Sequence, residues 1–142
     1  MFFREEYDFL SNFYPAPFRT PSGRLCPTVE HAFQACKTEN KEEQEWILST
    51  NTPGQAKARG RQVSLREGWE DMKLQIMYKL VLLKFQQNPE LAQKLVKIKE
   101  DIVEHNTWGD KYWGVHNGKG ANHLGKILMR VRSELQKEFL GY

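Results

Sequence analysis

The stretch WEDMKLQIMYKLVLLKFQQ, residues 69–87, decides the fold class. At about 100° per residue, Trp69, Met72, Ile76, Leu80 and Leu83 form one apolar stripe, and Leu74, Met77, Val81 and Phe85 form a second. A helix apolar along two stripes has to be packed on more than one side. This segment is therefore expected to be the central buried helix of a mainly helical protein.

Upstream, Thr52-Pro53 starts a helix with Thr as N-cap and proline at the first helical position, and Gly60 closes it. Glu42–Ser49 reads as another helix. From Thr28, a further N-cap, Val29, Ala32, Phe33 and Cys36 recur at helical spacing, which predicts a helix over Thr28–Glu39. Before it, residues 1–27 are rich in Phe, Tyr, Pro and Gly. Pro21-Ser22-Gly23 separates Phe18–Thr20 from Arg24–Cys26 as the turn of a small β-hairpin would.

Downstream, Asn88-Pro89 opens a helix to about Lys97, and Asp101–Glu104 reads as a short strand or extended segment. A glycine-punctuated loop, His105 to His123, follows. The last helix, roughly Leu124–Phe139, turns Leu124, Ile127, Leu128, Val131 and Leu135 inward. The expected fold is mainly α within an α+β class: a compact multi-helical single domain over residues 1–142, with a small N-terminal hairpin and short strands.

Composition agrees with one ordinary globular domain, at 142 residues with 39% hydrophobic and 27% charged side chains. No apolar run approaches the roughly 18 residues of a membrane span, and Met1–Glu6 turns acidic where a signal peptide would stay apolar. A cytoplasmic protein is expected. The net charge of +3 comes from 21 basic and 18 acidic residues scattered along the chain. Such a balance suits a phosphate-bearing ligand and gives weak support for a nucleic-acid footprint. Cys26 and Cys36 form no CxxC pair and have no His at ligand spacing, so reduced thiols without a metal or disulfide are expected.

Four segments carry residues suited to chemistry. On the Thr28 helix, Glu30, Gln34 and Lys37 fall within roughly 60° of one another, with His31 alongside. They fit the lining of a cleft or a solvated polar face. Glu104 to Gly114 concentrates carboxylates, including Asp110, among Trp108, Tyr112 and Trp113. Aromatics there can stack on a flat base while a carboxylate stabilises positive charge at an anomeric carbon, although a core-anchoring loop has the same look. Gly118–Asn122 precedes the last helix, where free N–H groups and Lys119 could hold a phosphate, or the glycines simply punctuate the chain. Phe9-Leu10-Ser11-Asn12-Phe13-Tyr14-Pro15 sets two polar residues between aromatics, as a site or as a turn.

Four patterns now stand in order along the chain: Phe9-Leu10-Ser11-Asn12-Phe13-Tyr14-Pro15; Thr28-Val29-Glu30-His31-Ala32-Phe33-Gln34-Ala35-x-Lys37; Trp69-x-x-x-Lys73-x-x-x-Met77; and Asp110-x-x-Trp113-Gly114 through Gly120-x-Asn122-x-Leu124-Gly125-x-x-Leu128-Met129. Over about 120 residues this set resembles the YbiA-like, or NADAR, family. The resemblance implies hydrolysis of N-glycosidic bonds without a cofactor or metal. Its substrate would be a small-molecule ribosyl phosphate among riboflavin biosynthesis intermediates, handled by a monomer. The alternatives are ADP-ribosylated guanine in nucleic acid, or a non-catalytic module that binds NAD or ADP-ribose. Carried onto this sequence, the catalytic residues are Glu30, Lys37 and Asp110; Glu104, within the same loop, would be a candidate carboxylate only if Glu30 proved dispensable. The substrate-binding residues are Ser11, Asn12, Phe13, His31, Gln34, Trp69, Trp113, Gly114 and Asn122.

Overall fold

The computed structural model describes residues 1–140. The chain forms two compact units, one of Asn12–Gln87 and the other of Met1–Ser11 with the chain from Asn88 onward.

The first unit begins with the expected hairpin. Strands β1 (Phe18–Arg19) and β2 (Leu25–Cys26) pair antiparallel, Phe18 opposite Cys26 and Arg19 opposite Leu25. The Gly23 N–H donates to Thr20 O at 2.8 Å, and Gly23 takes φ 87°, which glycine adopts without strain. Helices α1 (Val29–Ala35), α2 (Lys41–Leu48), α3 (Pro53–Gly60) and α4 (Trp69–Gln86) follow. Side chains of Thr28, Asn40 and Thr52 cap the first three, and Thr52 with Gln55 completes a capping box. Ala35, Ile47 and Ala56 form a small core against which Leu48 and Val63 pack.

One sequence expectation holds here and one changes. The long helix buries Trp69, Met77, Tyr78, Leu80, Val81, Lys84 and Phe85. At about 100° per residue these fill one arc of roughly 180°, and Met72, Ile76 and Leu83, half-buried outside that arc, keep the first stripe covered too, so the helix is packed on more than one side. Leu74, on that arc, is 38% exposed. The helix expected over Thr28–Glu39 stops at Ala35, where the chain tightens to i→i−3 bonds, the Thr38 N–H reaching Ala35 O at 3.5 Å, and tertiary donors take the carbonyls beyond. Arg66 N–H bonds Lys37 O at 2.7 Å, and Gln44 Nε2 bonds Thr38 O at 2.8 Å. Lys37 therefore lies in the closing turn, its own N–H on Gln34 O at 3.1 Å.

The second unit holds a 3-10 helix (Glu5–Leu10), α5 (Pro89–Lys97) and α6 (His123–Leu140). Leu124, Ile127, Leu128, Val131 and Leu135 are buried, as the helical spacing requires. Asp101–Glu104 is extended and forms no strand. Ladder positions that a neighbouring strand would use are occupied by the Asn122 amide, which donates to Ile102 O at 3.0 Å and accepts from Glu104 N–H at 2.9 Å. Among the described residues of this unit, pairing is limited to isolated bridges, of His105 with Phe2 and with Val115, and of His116 with Lys119. Among the described residues, no helix is long and apolar enough to cross a membrane.

Candidate functional site

Every residue of α1 is buried, including Glu30, His31 and Gln34. A carboxylate removed from water costs several kcal/mol unless it is partnered. Glu30 Oε1 accepts a hydrogen bond from Gln34 Nε2 at 2.8 Å, and its negative charge favours the ammonium form of Lys37. Burial outweighs that attraction and lowers the Lys37 pKa overall, with the cations Arg61, Lys57 and Lys73 lowering it further. The arrangement is a buried carboxylate next to an amine inclined to lose its proton.

Gln34 holds this geometry from a confined position. Its Oε1 is buried without a hydrogen-bond partner, and Gly60 of α3 lies against it so closely that a Cβ there would overlap Oε1 and come within 2.7 Å of Cδ. Asn12 supports the other end of α1, its carbonyl accepting the Glu30 N–H at 3.1 Å, while its Nδ2 lies 3.5 Å from Met77 Sδ. Trp69 packs on Phe33 with ring centroids 5.1 Å apart. Phe13 remains 43% exposed.

His31 fits a positioning role. Its Nε2–H donates to Thr50 O at 3.0 Å, which leaves Nδ1 to accept from the Thr28 hydroxyl at 2.9 Å. Burial lowers the pKa of the ring and keeps it neutral, partly offset by the bond to Thr50. The same Thr28 oxygen caps α1 by accepting the His31 N–H at 3.1 Å. Burial raises both thiols as well, Cys26 to about 11, the reverse of what an activated nucleophile needs.

In the second unit the polar groups of the glycine-rich loop are bound to one another. Asp110 Oδ1 accepts the N–H groups of Tyr112 and Trp113, each at 2.9 Å. Asn106 donates to Glu104 Oε2 and to Asp110 O, both at 2.9 Å, and accepts from Asp110 N–H at 3.0 Å. Gly114 lets the backbone pass the Glu104 carboxylate, which a Cβ would overlap. Tyr112 lies edge-on to Trp113 at 4.9 Å and tilted over His123 at 4.5 Å. Ser11 closes the 3-10 helix through its N–H to Asp8 O at 3.0 Å.

Of the two readings open at the start of α6, phosphate cradle or punctuation, the backbone bonds fit the second. The N–H groups of Ala121, Asn122, His123 and Leu124 bond the carbonyls of Lys111, Gly114, Tyr112 and Trp113 at 2.8 to 3.3 Å. Asn117 and Gly118, at φ 51° and 76°, turn the chain between the bridged residues His116 and Lys119. These glycines serve backbone geometry.

The NADAR domain family model matches residues 1–136. The chain belongs to the NADAR domain family. It is 40% identical over 138 residues to the N-glycosidase YbiA of Escherichia coli, with 94% of this chain and 85% of that protein covered. A riboflavin biosynthesis protein of Vibrio vulnificus is 37% identical over 136 residues, where the chain spans 94% of itself and 37% of the longer relative. The solved NMR structure of the E. coli protein YbiA matches with a TM-score of 0.87 at 38% identity, covering 97% of this chain and 83% of that one.

Sequence reasoning missed several buried polar groups. Asn106, which ties Glu104 to Asp110, stood unremarked within the loop because nothing in its spacing marks it. Lys84 stood unremarked on the long helix, yet it is 1% exposed, with its Nζ 5.0 Å from the Phe85 ring centroid and 5.8 Å from that of Tyr14. Its position 340° round from Met77, inside the apolar arc, was the available signal.

Proposed function

We propose that this NADAR protein is an N-glycosidase, a hydrolase that cleaves the bond between a nitrogen base and a phosphorylated ribose in riboflavin biosynthesis intermediates. The reading rests on one observation above all: buried Glu30, tethered by Gln34, beside a Lys37 whose pKa burial lowers. The names of the relatives, N-glycosidase and riboflavin biosynthesis protein, support the same reaction class. They favour a riboflavin intermediate over ADP-ribosylated guanine.

Cleaving a C1′–N bond builds positive charge on the sugar and negative charge on the departing base. Glu30 stabilises the first, while a proton delivered to the base nitrogen relieves the second. Water then adds to C1′. Lys37 supports a second route in which its neutral amine attacks C1′ of the ring-opened sugar, expels the base and forms a Schiff base that water hydrolyses. Asp110 is the alternative essential carboxylate. Asn12, Trp69, Trp113 and Asn122, with Ser11, Phe13, His31 and Gly114, orient the substrate or the groups that hold it. The protein acts as a monomer in the cytoplasm, on a small molecule, without a cofactor or metal.

Incubation with ribosylaminopyrimidine phosphate should release ribose 5-phosphate, and ADP-ribosylated guanine DNA should be cleaved far more slowly. No release from the pyrimidine substrate would overturn the reading. Borohydride should trap a protein–ribose adduct if Lys37 is the nucleophile, and Lys37→Ala should abolish the trapping. Turnover without an adduct leaves direct hydrolysis through Glu30.

A further inference from the structure

We infer that Lys57, Arg61 and Lys73 form, beside Lys37, a subsite for the phosphate monoester of the substrate, an inference that rests on the N-glycosidase reading above. Lys57 on helix α3 and Arg61 at its C-cap lie four residues apart, on the flank of the face through which Ala56 and Gly60 pack. Gly60 touches Gln34, the residue that tethers Glu30, so Arg61, the next residue, is held at the end of α3 nearest the carboxylate's tether. Lys73 stands one turn beyond Trp69, whose ring packs on Phe33 of α1.

The electrostatics agree with that placement. The charges of Arg61, Lys57 and Lys73 all act on Lys37, and Glu30 is the carboxylate that opposes them. Lys73 pairs with Glu70, which is 73% exposed. Among the described residues neither Lys57 nor Arg61 makes an ion pair. Gathering like charges around a half-buried lysine costs free energy that a bound dianion would recover. A phosphate monoester brings about 1.5 to 2 negative charges and three acceptor oxygens, and the planar guanidinium of Arg61 suits paired acceptance by two of them. The rival location at the start of α6 has its N–H groups already bonded to the loop carbonyls.

The test compares ribosylaminopyrimidine 5′-phosphate with its dephosphorylated nucleoside in wild type, Lys57→Gln, Arg61→Gln and the double variant, each checked for an unchanged melt. Each substitution should raise KM for the phosphate ester about 10-fold or more, the scale of one charge-assisted hydrogen bond, and lower kcat/KM for the ester by at least about 10-fold more than for the nucleoside, on which any effect through the charge of Lys37 falls equally. An equal loss on both substrates overturns the subsite, as does discrimination that follows Lys119→Gln instead. Inorganic phosphate titrated against wild type by NMR, with no turnover needed, should shift the amides of Lys57 to Arg61 saturably and fail to do so in the double variant. Absence of that binding in wild type also overturns it. Phosphate binding in a protein inactive on both substrates would keep the anion subsite and sink the N-glycosidase reading.

Discussion

Replacing Gly60 with alanine tests how far the buried carboxylate depends on its tether. The backbone itself accepts a Cβ, and alanine favours a helix over glycine by up to about 1 kcal/mol. The obstacle is tertiary: the new methyl would overlap Gln34 Oε1 and lie 2.7 Å from Cδ. Gln34, only 3% exposed, must swing away and break its 2.8 Å bond to Glu30. A hydrogen bond to a charged group contributes about 1.5–3 kcal/mol, and a forced fit in a packed interior costs about 1–3 more. After the helix gain is set against these, Gly60→Ala should lose about 1.5–5 kcal/mol, or about 5–20 °C in melting temperature for a chain of this size. Turnover should fall too, because Glu30 loses its orienting partner. In the double variant Gly60→Ala with Gln34→Ala the overlapping atoms are gone, leaving the residue 34 Cβ at a tight but yielding 3.1 Å. That protein should melt at or above the temperature of Gln34→Ala alone. Thermal and urea melts of the four proteins decide it. Strict additivity, or a Gly60→Ala protein as stable as wild type, would refute the packing argument.

Three further outcomes are expected. Glu30→Gln should keep the fold and lower kcat by about 10² to 10³, roughly 3–4 kcal/mol, with little change in KM; near-normal kcat in a folded variant would move the essential carboxylate to Asp110 or Glu104. Asn122→Ala should cost about 2–5 kcal/mol in a denaturant melt, because it leaves the Glu104 N–H and the Ile102 carbonyl unsatisfied and places alanine at φ 54°; a loss under about 1 kcal/mol would contradict its role as a backbone clamp. The native His31 pKa lies below its unfolded value near 6.5, so the unfolded chain binds more protons. Its contribution is therefore full above about pH 6.5 and lost as pH falls towards the lowered native value. Melts between about pH 8 and 5 should show this slope, and His31→Gln should flatten it; an unchanged slope would assign the acid sensitivity elsewhere.

The helices were legible because each carries its signals locally. Thr28, Asn40 and Thr52 cap where side chains of their kind cap, and Pro53 and Pro89 stand at first helical positions. The hairpin was equally plain, since Pro21-Ser22-Gly23 leaves the chain little else to do. What spacing could not supply was competition for backbone groups from distant residues. Past the early end of α1 the carbonyls of Lys37 and Thr38 go to donors at Arg66 and Gln44, and of the two readings open at Asp101–Glu104, strand or extended segment, the Asn122 amide on the Ile102 and Glu104 backbone leaves the second.

The same competition sorts the candidate residues. Spacing and resemblance nominated polar side chains without saying which already had work inside the protein. Both His31 ring nitrogens are engaged, the Asn122 amide holds two backbone groups, and Asp110 Oδ1 holds two N–H groups. Such residues shape a site through the backbone they fix, so their loss should appear first in stability. Glu30 and Lys37 differ in kind. Glu30 is buried and Lys37 half-buried, so their surroundings oppose charge, and burial has already moved Lys37 towards its neutral form. A fold selected for stability alone would exchange this pair for apolar side chains at little cost or a gain. Retaining it, with Gly60 kept bare so that Gln34 can tether the carboxylate, is the arrangement expected where charge must be ready at a reacting carbon.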